Sequence, residues 1–318
     1  MDGEQEHGED GFASGREPEP GVSVIMGERR QLLNLAYRLL GSLADAEDVV
    51  QEAYTRWYAM DLDRRQAVDS PGAWLCKVAG RICLDQLRSA RARRESYVGA
   101  WLPEPVPDRS EWPAGRIGDR TADPADRVTL DESVNMAFLV VLDAMTPAER
   151  VAFVLHDVFR YSFAEVAEIV GRTPAACRKL ASSARSRLRA SRPAPQQKAE
   201  RADVVREFKR AWEAKDVSAL VGVLDPAVTG LADGGGLVRA RLHPMRGAVE
   251  IAEYLTAVSA GAVDRTVLER TVNGEPGLVV QDGGVTTVVM SFEIEDGRIT
   301  RLWAVRNPEK LRSWTATD

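Results

Sequence analysis

The chain has 318 residues, enough for two or three domains at roughly 150 residues each. Hydrophobic residues make up 44% of it, too many for a wholly disordered chain. It has no apolar run of about 18 residues and no basic-then-apolar N-terminus, so neither a membrane span nor a secretory signal is expected. Cys76, Cys83 and Cys177 are too scattered for a disulfide framework. No CxxC occurs, and His7, His156 and His243 stand at no ligand spacing from a cysteine, so no metal or other cofactor is expected. The expected compartment is the reducing cytoplasm.

The net charge is −6, but residues 1–25 hold seven acids and one base, so the remainder sums to zero. That first segment, rich in Gly, Glu and Pro, is expected to be a disordered acidic tail. Within the neutral body the charges fall in blocks, and these are informative.

Residues 26–96 read as helical. Leu32, Leu35, Ala36, Leu39 and Leu40 form an apolar stripe, and Gly41 suits a C-terminal cap. Ser42 followed by Asp45 starts a second helix in which Val49, Ala53 and Trp57 recur every four residues. Its first turns carry Asp45, Glu47, Asp48, Gln51 and Glu52, four acids with no base, which suits either a dipole-favoured solvated turn or a docking face for a basic protein. Ser70-Pro71 opens a longer helix that ends in bases: Arg81, Arg88, Arg91, Arg93 and Arg94, with Asp85 among them.

Residues 97–127 form a linker with five prolines, yet it contains Trp101 and Trp112, which a purely solvated linker would not usually carry. Residues 128–192 return to helices. Thr146 to Glu149 and Ser162 to Glu165 are capping boxes, and Thr173-Pro174 opens a third helix after Gly171. A short helix, a glycine turn and a longer helix make a helix-turn-helix layout. From 171 to 192 there are seven bases and no acid. On a helix starting at Pro174, Arg178, Ser182 and Arg185 share a face with Lys179 beside them, and that face suits a DNA groove and its phosphates. Cys76 and Cys83, seven apart on one helix, read as core; Cys177 reads as a small packing residue or a redox-sensitive contact.

After a short linker at 193–198 the pattern changes. Residues 199–318 show helical patterns at 199–214, 217–224 and 246–259, then β-rich runs at 265–272, 277–281, 285–295 and 298–305. Asp282-Gly283 and Asp296-Gly297 are hairpin signals, so an α+β domain with an antiparallel sheet is expected. Asp225, Asp233, His243, Asp264 and Asp282 could serve acid–base chemistry, but their spacing defines no catalytic set.

The segments LLNLAYRLLGSLADAEDVVQEAYTRWY, SPGAWLCKVAGRICLDQLRSARARR and TPAERVAFVLHDVFRYSFAEVAEIVGRTPAACRKL resemble the extracytoplasmic-function (ECF) class of bacterial RNA polymerase sigma factors, over about 27–95 and 128–190, the family's regions 2 and 4. The resemblance implies a non-enzymatic multidomain chain with two all-α domains. Asp45, Glu47, Asp48, Gln51 and Glu52 would meet the β and β′ subunits of core polymerase. Arg81, Asp85, Arg88, Arg91 and Arg94 would lie at the promoter −10 element. Arg172, Arg178, Lys179, Ser182, Ser183 and Arg185 would read the −35 element. Many relatives carry Asn where Arg81 stands; a guanidinium can stack on a base or hold a phosphate there.

YVGAWLPEP at 97–105, DGGG at 233–236 and NPEKL at 307–311 further resemble the SigJ-type members, which carry a C-terminal SnoaL-like domain of the NTF2-like cone fold. Relatives usually have Asp at the position of Glu309. Trp101, Leu102, Pro103, Glu104 and Pro105 would then meet Asp233, Gly234, Gly235, Gly236, Asn307, Pro308, Glu309 and Lys310 in an interdomain regulatory contact. Local packing of Trp101 on region 2 or 4 is the alternative. The resemblance also implies cis regulation in place of a separate zinc anti-sigma protein, with an unknown small ligand as an option for the cone. A one-component ligand-responsive DNA-binding regulator, or a working SnoaL-like enzyme domain, remains the competing expectation.

Overall fold

The computed structural model describes residues 20–95, 97–107, 134–190, 197–259 and 264–314, with side chains at 20–27, 90–95 and 190 excepted. Most of the expected acidic tail, Trp112 and the later linker prolines therefore lie outside the described residues.

Helix α1 (Pro20–Leu40) begins six residues before the expected start at 26. Its apolar stripe is buried, and Gly41, at φ +73°, ends it through a 2.7 Å bond from its N–H to the Tyr37 carbonyl. The Ser42 hydroxyl accepts from the Asp45 N–H and caps α2 (Leu43–Tyr58), which buries Val49, Ala53 and Trp57 against α1. The short α3 (Leu62–Gln66) leads to α4 (Pro71–Glu95), whose Trp74 meets Trp57 edge-on at 5.2 Å.

In the second all-α unit α5 (Met136–Asp143) precedes α6 (Pro147–Phe153), which widens into a π-helical turn at Val154–Val158. Both capping boxes close as expected, at α6 and at α7 (Phe163–Val170). Gly171, left-handed at φ +69°, makes the turn into α8 (Pro174–Ala190). The two all-α units share one continuous apolar core. At Gly80 of α4 a Cβ would lie 3.1 Å from Ile169 Cγ2 of α7. Buried Arg150 donates to the Leu39 carbonyl of α1 at 2.8 Å and to Asp143 at 2.7 Å.

The C-terminal unit comprises α9 (Lys198–Glu213), α10 (Val217–Val223), β1 (Leu224–Asp233), β2 (Met245–Arg246), α11 (Ala248–Ser259), β3 (Arg265–Val272), β4 (Glu275–Asp282), β5 (Val285–Glu295) and β6 (Arg298–Val305), then a 3₁₀ turn at Pro308–Trp314. The strand order is β2-β1-β6-β5-β4-β3. The sheet is mixed, which corrects the antiparallel expectation: β1 pairs with β6 in parallel. Pro226 and Gly230 interrupt β1, which follows α10 without a turn, so its alternation is masked in the sequence. Hairpin turns at Asn273-Gly274 and Asp296-Gly297 place both residues at positive φ, as two-residue turns require.

Helices cover one sheet face: Phe208, Trp212, Leu220 and Ile251 pack against Leu278, Val280, Met290 and Leu302. The alternate residues Val279, Val289, Trp303 and Val305 point to the other face. Leu102 of the first linker, Met136 of α5, Leu311 and Trp314 cover that face. The third domain is therefore joined to the linker and to the second all-α unit through an apolar layer.

Gly80→Leu should raise helix propensity in α4 by about 1 kcal/mol while forcing α7 away. Small-angle X-ray scattering should then show a larger radius of gyration, with Gly80→Ala between the two and helicity by circular dichroism retained.

Candidate interdomain latch and nucleic-acid interface

The sequence-derived contact between 101–105, 233–236 and 307–310 centres on one fully buried carboxylate, Asp233 at the end of β1. Its Oδ1 accepts from the Tyr97 hydroxyl at 2.6 Å and the Gly235 N–H at 3.0 Å. Its Oδ2 accepts from the Leu102 N–H at 2.9 Å and from Lys310 Nζ at 2.7 Å. Four donors fill the acceptor capacity of a carboxylate, which is what permits a charge with no water contact. The Asp233 backbone carbonyl also receives the Arg306 and Asn307 N–H groups.

Lys310 donates further to the Leu102 carbonyl at 2.5 Å and stands 4.1 Å from the Trp101 ring centroid. Gly235 is left-handed, and a Cβ there would lie 2.4 Å from Asn307 Nδ2; this is why the turn needs glycine. The Asn307 amide donates to Tyr97 and accepts from the Glu309 N–H. Burial and the Asp233 carboxylate push the Tyr97 phenol above its usual range, so it stays a donor.

The linker grips region 2 as well, so Trp101 to Pro105 does both things the sequence left open. Trp101 lies over Gly41, where a Cβ would meet its ring at 2.8 Å. The Glu104 carboxylate accepts from the Leu43 N–H at 2.8 Å, a second cap on α2 supplied from outside the helix. The Glu104 N–H donates to the Gly41 carbonyl, and the Tyr37 hydroxyl donates to the Glu104 carbonyl. Burial raises Glu104 to about 7, against the Leu43 N–H and Lys310, with Glu47 and Asp45 adding to the rise. On the C-terminal side Trp314 Nε1 donates to the Pro105 carbonyl at 2.8 Å.

Asn273, at the β3–β4 turn, bonds the Val106 backbone in both directions and donates to the Tyr37 hydroxyl at 2.8 Å. Tyr37, Tyr97, Asn273 and Trp314 were not foreseen as site residues. Asn273-Gly274 was readable as a turn, but its partner 236 residues away was not.

The expected docking residues Asp45, Glu47, Asp48, Gln51 and Glu52 are all exposed, with Glu52 ion-paired to Arg56. On α8, Arg178, Lys179 and Ser182 are exposed, and Arg178 sits over the Phe163 ring at 5.2 Å. Arg172 is exposed in the turn before α8. Two further expected readers also have partners in the same unit: Ser183, exposed, donates to Glu149 at 2.7 Å, and Arg185, half-buried, donates to Asp157 at 3.0 Å. On α4, Asp85 and Arg88 are exposed and pair with each other, while Arg81 donates to the Glu168 carbonyl of α7. Lys77 forms an ion pair with the same Glu168. The side chains of Arg91 and Arg94 lie outside the described residues.

The other titratable groups do not converge. Asp282 is lowered by its bonds from Arg265 and Thr287, the Asp225 carboxylate caps Ala227, and His243 is exposed before β2. All three cysteines are buried, and burial raises each thiol. Cys177 thus sits in the region 4 core, away from the exposed reading face. Among the described residues no helix is long and apolar enough to cross a membrane.

Two helical modules, one ending in a helix-turn-helix and each presenting bases, joined to an α+β domain by a buried latch, define a DNA-reading transcription factor. The Sigma-70 region 2 family matches residues 24–93, and the Sigma-70, region 4 family matches 135–188. The ECF RNA polymerase sigma factor SigJ of Mycobacterium tuberculosis is 37% identical over 307 residues, covering 91% of this chain and 93% of that protein. The probable sigma factor SigI of the same species is 33% identical over 305 residues, covering 92% and 95%. The crystal structure of M. tuberculosis SigJ superposes with a TM-score of 0.70 at 34% identity, over 92% of this chain and 98% of that one. The chain belongs to the ECF RNA polymerase sigma factors, which direct core polymerase to promoters.

Asp233→Asn would remove the carboxylate bonded to the buried Lys310 ammonium, so roughly 3–5 kcal/mol should be lost in urea melts. Adding Lys310→Met should recover part of that loss, since neighbouring sites are not additive. Because the folded pKa of Glu104 is raised, the folded state holds more protons than the unfolded one between about 4.5 and about 7. Its contribution to stability therefore falls as pH rises through that window and is level above it. Glu104→Gln keeps an acceptor for Leu43, so melts of this variant should gain on wild type between pH 4.5 and pH 8.

Proposed function

We propose that the structure represents a closed form of the sigma factor, in which the C-terminal domain restrains promoter reading in cis. The observation that carries this is the direct packing of α4 on α7, through Gly80 with Ile169, Lys77 with Glu168 and Arg81 with Glu168. The −10 and −35 elements are separated by roughly 25 base pairs, about 85 Å of B-form DNA at 3.4 Å per base pair. Two modules in contact cannot engage both elements at once, so promoter binding requires them to part.

In this reading α8 presents Arg178, Lys179 and Ser182 to the −35 groove, with Arg172 at a phosphate. Ser183 and Arg185 hold α8 on its own domain. Helix α4 reads the −10 element, and Arg81 serves there only after it leaves Glu168. The acidic face of α2 meets core polymerase, its β and β′ subunits included. It stays open in the closed form, so polymerase can dock before the DNA readers separate. Glu104 links the two events, because one residue caps the docking helix and belongs to the latch segment.

The C-terminal domain acts by contact and not by turnover. Its buried Asp233 is saturated by latch donors, and His243 has no acidic partner among the described residues. A fused domain in this position takes the place of a separate zinc anti-sigma protein, and the latch is where a small ligand of the cone would exert its effect.

Run-off transcription with core polymerase on pooled genomic templates tests this. Wild type should initiate at discrete sites sharing upstream elements. Asn273→Ala combined with Trp101→Ala should initiate at the same sites several-fold more strongly. Equal output from both would remove cis restraint, and no core-dependent initiation by either would favour the one-component regulator.

A further inference from the structure

From Leu237 onward the β1–β2 loop takes no part in the latch. From Gly234 to Val249 the chain carries Arg239, Arg241, Arg246 and His243 and no acid. Residues 236–239 and 241–244 are exposed. Four of the nine large hydrophobic side chains exposed among the described residues gather here: Leu237 at 59%, Leu242 at 57%, Val238 and the adjoining Val98. Isolated exposed leucines need no explanation, but a cluster marks an interaction surface.

The loop is exposed yet held in shape. The N–H groups of Leu237 and Val238 both donate to the Gly234 carbonyl. Arg306 bonds the Arg239 carbonyl, and the Arg241 guanidinium lies over the Tyr254 ring at 5.0 Å. None of Arg239, Arg241 and Arg246 forms an ion pair with an acid among the described residues. A loop ordered in advance loses little entropy when it binds.

Its position is set by the latch. Gly236 faces Val98, where a Cβ would meet the Val98 Cβ at 3.1 Å, and Gly99 faces Leu242 at 3.5 Å. Val98 and Gly99 follow the last residue of α4, Glu95, by three and four residues, at most about 14 Å of chain. The segment is pinned through Tyr97 and Leu102 to Asp233, at the root of the same loop. The loop therefore stays with the basic end of α4 even if region 4 swings away.

We infer that the 234–246 loop is a second promoter-DNA contact, binding the DNA backbone beside the −10 element with Arg239 and Arg241 and placing Leu237 and Leu242 against unstacked bases. Arginine supplies phosphate contacts, and aliphatic side chains wedge between base steps where a duplex is kinked or opening. An acidic protein surface would satisfy the arginines but not explain leucines interleaved with them beside a DNA-reading helix. The inference rests on the proposal that α4 lies at the −10 element.

The test uses the full-length chain with core polymerase and a fluorescein-labelled duplex carrying a promoter mapped by run-off transcription. Binding is titrated against salt for wild type, Arg239→Gln/Arg241→Gln, Leu237→Ser/Leu242→Ser and Arg88→Gln. Losing two phosphate contacts should make the slope of log K against log salt shallower by about 1 to 2. The leucine variant should retain that slope and lower strand opening, read with 2-aminopurine in the −10 segment. Thermal melts matching wild type would exclude misfolding, and unchanged core binding without DNA would exclude a polymerase contact.

If the arginine variant keeps the wild-type slope while Arg88→Gln loses affinity, the loop inference is wrong and the −10 reading stands. If Arg88→Gln and the loop variants all match wild type, both readings fail. If the arginine variant instead loses core polymerase without DNA, the loop is a protein contact and the inference is overturned.

Discussion

A carboxylate shut away from water is the constraint around which this molecule is arranged. Asp233 is fully buried with every acceptor site filled, and its donors come from its own turn and from two distant stretches of chain. Satisfying it brings Tyr97 and Leu102 of the linker, the glycine turn after β1 and Lys310 of the last turn to one point. Such a pair adds little net stability over an apolar replacement. It does allow only one register for the linker, because a shift of one residue would strand a buried charge.

That register has consequences on both sides. Toward the C-terminal sheet, Leu102 completes an apolar layer with Trp303, Leu311 and Trp314. Toward region 2, Glu104 reaches the N-terminus of α2, and Tyr37 and Asn273 close a buried hydrogen-bond bridge between domains. The linker thus couples α2, the helix with the exposed acidic face, to the sheet of the third domain. Region 4 is held separately, by Met136 on the sheet and by α7 on α4. The domains therefore meet along two seams, one through the linker and one through α5 and α7.

Charge is partitioned to match. The acids of α2 remain exposed, whereas the bases of α4 and α8 are partly spent on internal partners such as Glu168 and Asp157. A chain with net charge −6 can therefore present a local basic surface to DNA without being basic overall.

Helix boundaries were legible in the sequence because their causes are local. Ser42, Thr146 and Ser162 cap the helices they precede, and Gly41 and Gly171 end helices in the left-handed region. The strands from β3 to β6 were legible from their alternation and their turns. β1 was not, because a strand that begins at the residue directly after a helix and contains proline has no alternation to read, and its parallel partner lies about 70 residues on. The segments 97–105, 233–236 and 307–311 were visible as motifs, but their meeting point was not. Distance along the chain says nothing about which donor will reach a buried acceptor. Likewise Ser183 and Arg185 share the basic helix with Arg178, and only the packing of α8 on α6 and on the π-helical turn after it gives them Glu149 and Asp157 as partners. By itself the sequence determined the helices, the hairpins and the order of the domains, since propensity, capping and periodicity act over a few residues. Tertiary structure alone decided how the domains meet, because burying Asp233 and the second face of the sheet requires partners from the linker, from α5 and from the last turn.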